Sequence, residues 1–238
     1  MKQGGKILKS VVDELIPKIE VNKSTKYIED EARILIGKNN AKPSFTTVKG
    51  YTWCTCLPVN EQAVHTPPSK RTLKNGDLLT LDIGLIYKGF HTDYATTIAI
   101  GDSISIEIKN FLEVGKKTLD SAIKLFKTGV YLGSISEFIE KEINASSYFI
   151  LKDLTGHGIG RELHEDPYVF NYLDRPVNKT YKIKPGLVVA VEIIYSMGTE
   201  EIAYEKGVPW SIVTSDRSLS ACFEKTIAVA EGNTFILT

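Results

Sequence analysis

The sequence predicts an α+β fold in one domain that spans residues 1–238. Two segments with helical spacing of apolar residues are each followed by a segment rich in Thr, Val, Ile and Tyr, with Pro and Gly between the runs. The order helix, helix, strands therefore occurs twice. We expect two related halves, at about residues 1–103 and 104–238, arranged about a pseudo-two-fold axis.

The first 40 residues predict two helices. Pro17 ends the first apolar pattern, and the second pattern ends near Gly37. The apolar positions of the two helices are Ile7, Leu8, Val11, Val12, Leu15 and Ile16, then Tyr27, Ile28, Ala32 and Leu35. Strands are predicted in residues 45–100.

The second half begins with a helix over residues 104–126, where apolar residues again recur at helical spacing. Ser134, followed three residues later by Glu137, has the pattern of a capping box. It predicts that another helix opens there and runs to about Asn144. From Tyr148 to the end, strands are expected.

A carboxylate occupies the same place in both halves. Asp82 follows Lys74 by eight residues and Gly76 by six, and Glu192 follows Lys184 and Gly186 at the same offsets. Later in each half, Asp93 precedes a Thr-Ile-Ala-Ile run and Glu224 precedes Thr-Ile-Ala-Val. The alternative is that the repeat arises by chance, because any buried strand can follow a glycine turn. A buried carboxylate at the same offset in both segments instead favours two halves that are diverged copies of each other.

Composition excludes several classes of protein. The chain has 29 Lys plus Arg and 29 Asp plus Glu, a formal charge of 29 − 29 = 0, which argues against nucleic-acid binding driven by counterion release. No apolar run is long enough to cross a membrane, and residues 1–9 lack a signal-peptide core. The three cysteines, Cys54, Cys56 and Cys222, form no disulfide or zinc pattern, so we expect a cytoplasmic protein.

The aspartates of the first half are expected to meet. Lys88-Gly89 predicts a two-residue hairpin turn that pairs Gly84 with Asp93. Asp82 then shares a face with Asp93 as a diagonal neighbour, about 7–8 Å away at the backbone. The alternative is that these two aspartates form a carboxylate pair at a solvent-exposed end of the strands. By symmetry we expect Glu192 and Glu224 to converge from the other half, although their register is not determined.

Four convergent carboxylates call for compensating cations, since like charges this close do not all stay ionised. Two divalent metal ions would neutralise them, and His157, between two glycines, could supply an imidazole ligand. His164-Glu165 cannot belong to a zinc-binding helix because Pro167 follows. Such an oxygen-rich site accepts Mn, Fe, Co or Zn, so the identity of the metal stays open.

These segments resemble a known family. The strings LDIGLIYKGFHTD, GHGIGRELHEDP, VAVE and DRSLSACFEKTIAV, in this order, are similar to the type I methionine aminopeptidases of the pita-bread metallopeptidase superfamily. The resemblance implies the pita-bread fold around a central antiparallel sheet and removal of amino-terminal methionine from peptides and nascent proteins. It also implies five metal ligands, which are Asp82, Asp93, His157, Glu192 and Glu224.

The resemblance further implies roles for the residues around the metals. Glu192 passes a proton from the attacking water to the leaving amine, His164 faces the scissile carbonyl, and His65 contacts the amide nitrogen. The methionine pocket would be lined by Cys56, Tyr51 and Trp210, for which core packing is an equal alternative. His91 is interpreted as a neighbour of a ligand or as a residue on the surface of the strand. We expect a monomer that binds no nucleic acid and no membrane.

Three positions depart from the family pattern. Leu163 replaces a phenylalanine at the pocket rim, Ile193 replaces a proline and is expected to loosen a rigid turn, and Thr66 replaces a glycine. Two other functions remain open: an Xaa-Pro aminopeptidase or prolidase-like enzyme, and an inactive pita-bread binding protein. The first normally has an extra amino-terminal domain, and the second has lost metal ligands.

Overall fold

Four helices occur in the predicted order in a computed structural model that covers residues 1–238. They are α1 (Lys2–Leu15), α2 (Thr25–Lys38), α3 (Ile106–Leu125) and α4 (Leu132–Ala145). Pro17 lies in a short 3-10 turn directly after α1, which agrees with its predicted role as a terminator. The combination of these helices with the sheets described below confirms the α+β class.

The predicted capping box does not form, so the predicted start of α4 is wrong. The helix begins at Leu132, and its N-cap residue, Tyr131, makes no capping bond with its side chain. The first N–H groups are instead satisfied by another segment: Leu132 donates to the carbonyl of Tyr181, and Gly133 to Oγ1 of Thr180. Tertiary partners thus replace the local cap that Ser134 would have supplied.

Thirteen strands form two antiparallel sheets. The strands are β1 (Lys42–Pro43), β2 (Thr55–Cys56), β3 (Gln62–Val64), β4 (Leu78–Tyr87), β5 (Phe90–Ala99), β6 (Phe149–Ile150), β7 (Gly156–Gly158), β8 (Glu165–Val169), β9 (Val188–Ser196), β10 (Ile202–Tyr204), β11 (Ile212–Thr214), β12 (Ser220–Ala230) and β13 (Asn233–Ile236). The large sheet has the order β1-β4-β5-β12-β9-β7-β8, with β2, β6 and β13 beside β4, β9 and β12. The small sheet has the order β10-β11-β3.

Each half contributes two helices and one long antiparallel strand pair. One apolar core lies between α1, α2 and the β4–β5 hairpin, and another lies between α3, α4 and the β9–β12 pair. The two strand pairs meet where β5 runs beside β12. The centre of the large sheet is therefore the junction of the two halves.

The predicted hairpin register is confirmed. Tyr87 pairs with Phe90 and Gly84 pairs with Asp93, as the Lys88-Gly89 turn predicts. Both turn residues have a positive φ, 51° and 77°, which is the combination that a tight hairpin turn requires.

No helix in the structure has the length and apolar character needed to span a membrane. All three cysteines are free and buried.

Candidate metal centre

The four acidic residues singled out by the sequence converge at the junction of the halves. Asp82 pairs with Ala95, the residue two beyond Asp93, and Ala95 also pairs with Glu224 across the junction. Glu224 lies directly opposite Glu192 on β9, which supplies the register that the sequence left undetermined. Each strand of the central four therefore presents one carboxylate to the same region.

Three side chains come close enough to share one metal ion. Asp93, His157 and Glu224 are buried and offer ligand atoms that all lie within 4.8 Å of one another. The fourth group, Glu192, has its Oε1 atom 3.9 Å from Nε2 of His157. Asp82 and Glu192 retain some accessible surface and line the adjoining cavity.

His157 is oriented by a bond from its other ring nitrogen. Its Nδ1 lies 2.8 Å from the carbonyl oxygen of Gly158, which can only accept a hydrogen bond. Nδ1 therefore carries the proton, and the lone pair of Nε2 faces the carboxylates. Burial lowers the pKa of His157 to about 4, which keeps the ring neutral and able to bind a metal.

The glycines beside His157 are required by close backbone packing. A Cβ atom on Gly156 would lie 2.6 Å from the carbonyl oxygen of Ala190, and one on Gly158 would lie 2.3 Å from that of Asp166. Both obstacles are main-chain atoms, so no rotamer change could relieve them. The two glycines therefore allow the main chain around His157 to pack closely against its neighbours.

Without cations, the carboxylates resist ionisation. Burial raises the pKa of Asp93 to about 7 and, with the added charge of Asp93, that of Glu192 to about 8. The pKa values of Asp82 and Glu224 are also raised well above their ordinary range, first by burial and then by the neighbouring carboxylates. No Lys or Arg forms an ion pair with any of the four. Four carboxylates and one neutral imidazole fit two divalent cations in number, charge and chemistry.

The main chain of Asp93 is held to the strand that carries Glu224. The hydroxyl of Thr226 accepts a hydrogen bond from the N–H of Asp93 and donates one to its carbonyl, each 2.8 Å long. Thr238 donates a further bond of 3.1 Å to the same carbonyl. These bonds join β5 to β12 next to the acidic cluster, so the two halves are tied together at the site.

A cavity of about 170 Å³ opens from the acidic cluster. His65 and His164 line it and are exposed, and the rings of His164 and His157 lie 4.4 Å apart in an edge-on arrangement. The apolar side of the cavity includes Tyr51 and Trp210, whose rings are 5.5 Å apart. The cavity thus has an acidic floor, two imidazoles and an apolar wall.

The predicted pocket residues Tyr51, Cys56 and Trp210 all line this cavity, while Tyr51 and Cys56 are also packed in a small apolar cluster. The hydroxyl of Tyr51 donates to the carbonyl of Thr55 at 2.9 Å and lies 3.2 Å from the sulfur of Cys56. The phenol oxygen is therefore satisfied within the wall, which leaves a largely apolar surface toward the cavity.

His91 does not line the cavity. Its ring Nδ1 is hydrogen-bonded to the hydroxyl of Ser44, and its main-chain N–H donates to the carbonyl of Gly160. The ring thus lies on the ligand-bearing strand β5 but away from the reaction space, as expected for a neighbour of a ligand.

The three departures have different structural outcomes. Leu163 lines the cavity as expected for a rim residue. The expectation of a loosened turn at Ile193 is wrong, because Ile193 lies inside β9 and pairs with Phe223 in a register unbroken from Val188 to Ser196. A β-branched residue favours such a strand, whereas proline would remove a ladder donor. Thr66 is buried, and its hydroxyl is hydrogen-bonded to the hydroxyl of Ser211.

Several lining residues were not identified from the sequence. Thr80 and Cys222 lie two residues before Asp82 and Glu224, so strand alternation could have placed them on the same face. The remaining ones, which come from loops and short strands without a periodic signal, are Phe45, Val48, Pro58, Ala63 and Val64.

Comparison with known proteins confirms the predicted family. The model of the family described as metallopeptidase family M24 matches residues 1–231. Methionine aminopeptidase 1 of Bacillus subtilis is 36% identical over 240 residues, which cover 100% of this chain and 94% of that protein. The crystal structure of methionine aminopeptidase from Thermotoga maritima is similar with a TM-score of 0.95 at 33% identity, covering 100% of this chain and 94% of that one.

A more distant likeness concerns the fold alone. The prolidase from Pyrococcus furiosus has a TM-score of 0.77 at 20% identity, and the match covers 100% of this chain but 62% of the prolidase. The shared pita-bread architecture therefore extends to enzymes with longer chains.

Proposed function

The chain belongs to metallopeptidase family M24, and we propose that it removes amino-terminal methionine with two divalent metal ions held by five side chains. Methionine removal is supported by full-length likeness to methionine aminopeptidases in both sequence and structure. The observation that carries the site assignment is the convergence of Asp93, His157 and Glu224 within 4.8 Å, beside two further carboxylates.

Five side chains from both halves would hold the two ions. Asp93 and Glu224 come from the adjoining strands of the two halves, and Asp82, His157 and Glu192 would complete the ligand set. Manganese, iron, cobalt and zinc all suit this donor set.

When bound, the two ions supply Lewis acidity that lowers the pKa of water and polarises the scissile carbonyl. Glu192 accepts the proton of the attacking water and delivers it to the leaving amine, and its accessible surface toward the cavity suits this role. His164 donates a hydrogen bond to the developing oxyanion. His65 orients the amide nitrogen at the cleavage point.

The lining of the cavity suits an exopeptidase. A free amino terminus would bind a metal ion held by the acidic floor, while the apolar wall with Tyr51, Cys56 and Trp210 takes the side chain of the first residue. An unbranched thioether is the side chain that this wall is proposed to select.

A comparison of two peptides tests the proposed function. We expect the metal-loaded protein to release methionine from Met-Ala-Ser and to leave Ala-Pro peptides uncut. Both peptides are assayed with each of the four metals, with a chelated sample as the control. Cleavage of the Ala-Pro peptide alone would contradict methionine removal and favour the Xaa-Pro alternative, and cleavage of neither with any metal would favour the inactive binding protein.

We infer further that the substrates include nascent proteins and that the enzyme acts in the cytoplasm as a monomer. Three free, buried cysteines suit a reducing compartment. Light scattering of the purified protein would measure its mass, and a dimer would contradict the inferred monomer.

A further inference from the structure

Two hydroxyl groups are joined behind the wall of the cavity. Thr66 follows His65, and Ser211 follows Trp210, so each hydroxyl belongs to the neighbour of a cavity residue. Their Oγ atoms are 2.8 Å apart, and the two residues are 4% and 0% exposed. This bond links segments that are 145 residues apart in the sequence.

The donor and the acceptor of the Thr66–Ser211 hydrogen bond can be assigned. Ser211 donates its proton to Oε2 of Glu205 at 2.6 Å, and Gln62 donates its side-chain amide to the same oxygen at 2.7 Å. Because the Ser211 proton is directed to Glu205, the Ser211 oxygen accepts the proton of Thr66. The chain Thr66 to Ser211 to Glu205 thus ends on a carboxylate, which makes its last bond charge-assisted.

The main chain on both sides is also held. The carbonyl of Thr66 accepts a bond from Leu57 N–H, and that of Ser211 accepts one from Glu205 N–H, each at 2.9 Å. His65 and Trp210 both have left-handed φ angles, 58° and 77°. Residues other than glycine keep this conformation only where the surrounding contacts enforce it.

We propose that the Thr66–Ser211 hydrogen bond is a positioning device that holds His65 and Trp210 in their places around the bound methionine. The link depends on the side chains of this sequence, since a glycine at position 66 would offer no hydroxyl. The proposal rests on the proposed function, since it assumes that Trp210 bounds the side-chain pocket and His65 faces the scissile amide. It deepens that function by coupling selection of the side chain to orientation of the amide.

Kinetics of two variants and their combination test the coupling. In Thr66→Val, we expect kcat/KM for Met-Ala-Ser to fall about 3–10-fold, the loss of one neutral hydrogen bond. Ser211→Ala also loses the charge-assisted bond to Glu205, so its kcat/KM should fall at least as far. The preference for Met-Ala-Ser over Leu-Ala-Ser should fall in both variants. The double variant should be no worse than Ser211→Ala, because Ser211→Ala already lacks the bond that Thr66→Val removes. Thr66→Ser keeps the hydroxyl and should retain the wild-type preference.

Matched controls separate positioning from general stability. Thr180→Val removes a hydroxyl that bonds to Gly133 and Val177, and Ser136→Ala removes one that bonds to Leu132 within α4. Neither residue lines the cavity. Thr180→Val should lower Tm, and both controls should leave kcat/KM and the side-chain preference unchanged.

A spectroscopic measurement is independent of turnover. The chain has two tryptophans, so a Trp53→Phe background reports on Trp210 alone. Trp210 is 36% exposed. Acrylamide should quench its fluorescence more strongly in Thr66→Val, because that variant no longer holds Ser211, the residue after Trp210. Wild-type kinetics and unchanged quenching in Thr66→Val, or additive losses in the double variant, would overturn the proposal. Failure of the wild-type protein on Met-Ala-Ser would instead refute the proposed function.

Discussion

Asp93 is held by hydrogen bonds on both its main chain and its side chain. Its main-chain N–H and carbonyl are both bound by Thr226, and its Oδ1 accepts a bond of 3.0 Å from the N–H of Tyr94. The carboxylate is thereby fixed between the two halves before any metal arrives. This preorganisation suits the proposed role of Asp93 as a metal ligand.

Replacement of this carboxylate tests the two-metal assignment. In Asp93→Ala, we expect metal binding, measured by calorimetry, to be lost and kcat to fall on the order of 10³-fold or more. Asp30→Ala is the control, because Asp30 is an exposed aspartate on α2 that pairs with Lys26. An Asp93→Ala protein that keeps its activity would refute the two-metal centre.

The two neighbouring imidazoles should respond differently to substitution. His157 is buried with Nε2 facing the carboxylates, so His157→Ala should lose metal and activity together. His164 is exposed and proposed as an oxyanion donor, so His164→Ala should retain metal while kcat falls about 10²-fold. Metal content by atomic absorption, measured beside kcat, separates the two. Equal metal loss in both variants would contradict the assigned roles.

At the scale of elements, β7 shows how a short strand can carry a ligand. Three residues suffice because Gly156 and Gly158 let the main chain pack directly against β9 and β8, with His157 between them. The hairpin of β4 and β5 likewise fixes the position of Asp93, through the tight turn at Lys88-Gly89. Both arrangements are visible in the sequence, since each depends on glycine at a fixed position.

A glycine substitution measures the cost of filling this contact. Gly158→Ala should destabilise the protein by about 1–3 kcal/mol, because the added Cβ meets main-chain atoms of Glu165 and Asp166. Gly37→Ala is the matched control: no atom lies within 4 Å of its added Cβ, so stability should rise by up to about 1 kcal/mol. Urea unfolding gives both values. A Gly158→Ala protein as stable as Gly37→Ala would refute the packing argument.

Some elements follow from short-range sequence patterns, and others are set by contacts between distant segments. The helix periods and the hairpin register follow from the sequence because both are set by residues a few positions apart. The start of α4 does not, since Thr180 and Tyr181 supply its first acceptors from 47 to 49 residues away. The strand through Ile193 is likewise fixed by its pairing with β12.

At the scale of the whole molecule, the site joins the two halves. Asp82 and Asp93 come from the first half, and His157, Glu192 and Glu224 from the second. Without cations, the raised pKa values mean that ionising the carboxylates at this junction is unfavourable. Metal binding should therefore stabilise the entire fold.

Thermal unfolding with and without metal tests this expectation. A free ion concentration about 100-fold above Kd stabilises by about 2.7 kcal/mol, which corresponds to a rise of about 5–10 °C in Tm for a chain of this size. Chelation should reverse the rise, and Asp93→Ala should not show it. An equal rise in that variant would place the stabilising ion elsewhere.

The α+β class, the helix pairs, the hairpin register and the identities of the converging carboxylates can be predicted from the amino-acid sequence, because these depend on local spacing and on strand alternation. The pairing of Glu192 with Glu224, the cavity wall from Phe45 and Val48, and the bond between Thr66 and Ser211 become visible only in the folded chain. These features join segments distant in the chain. Their geometry is set by how the two halves pack, which no local pattern encodes.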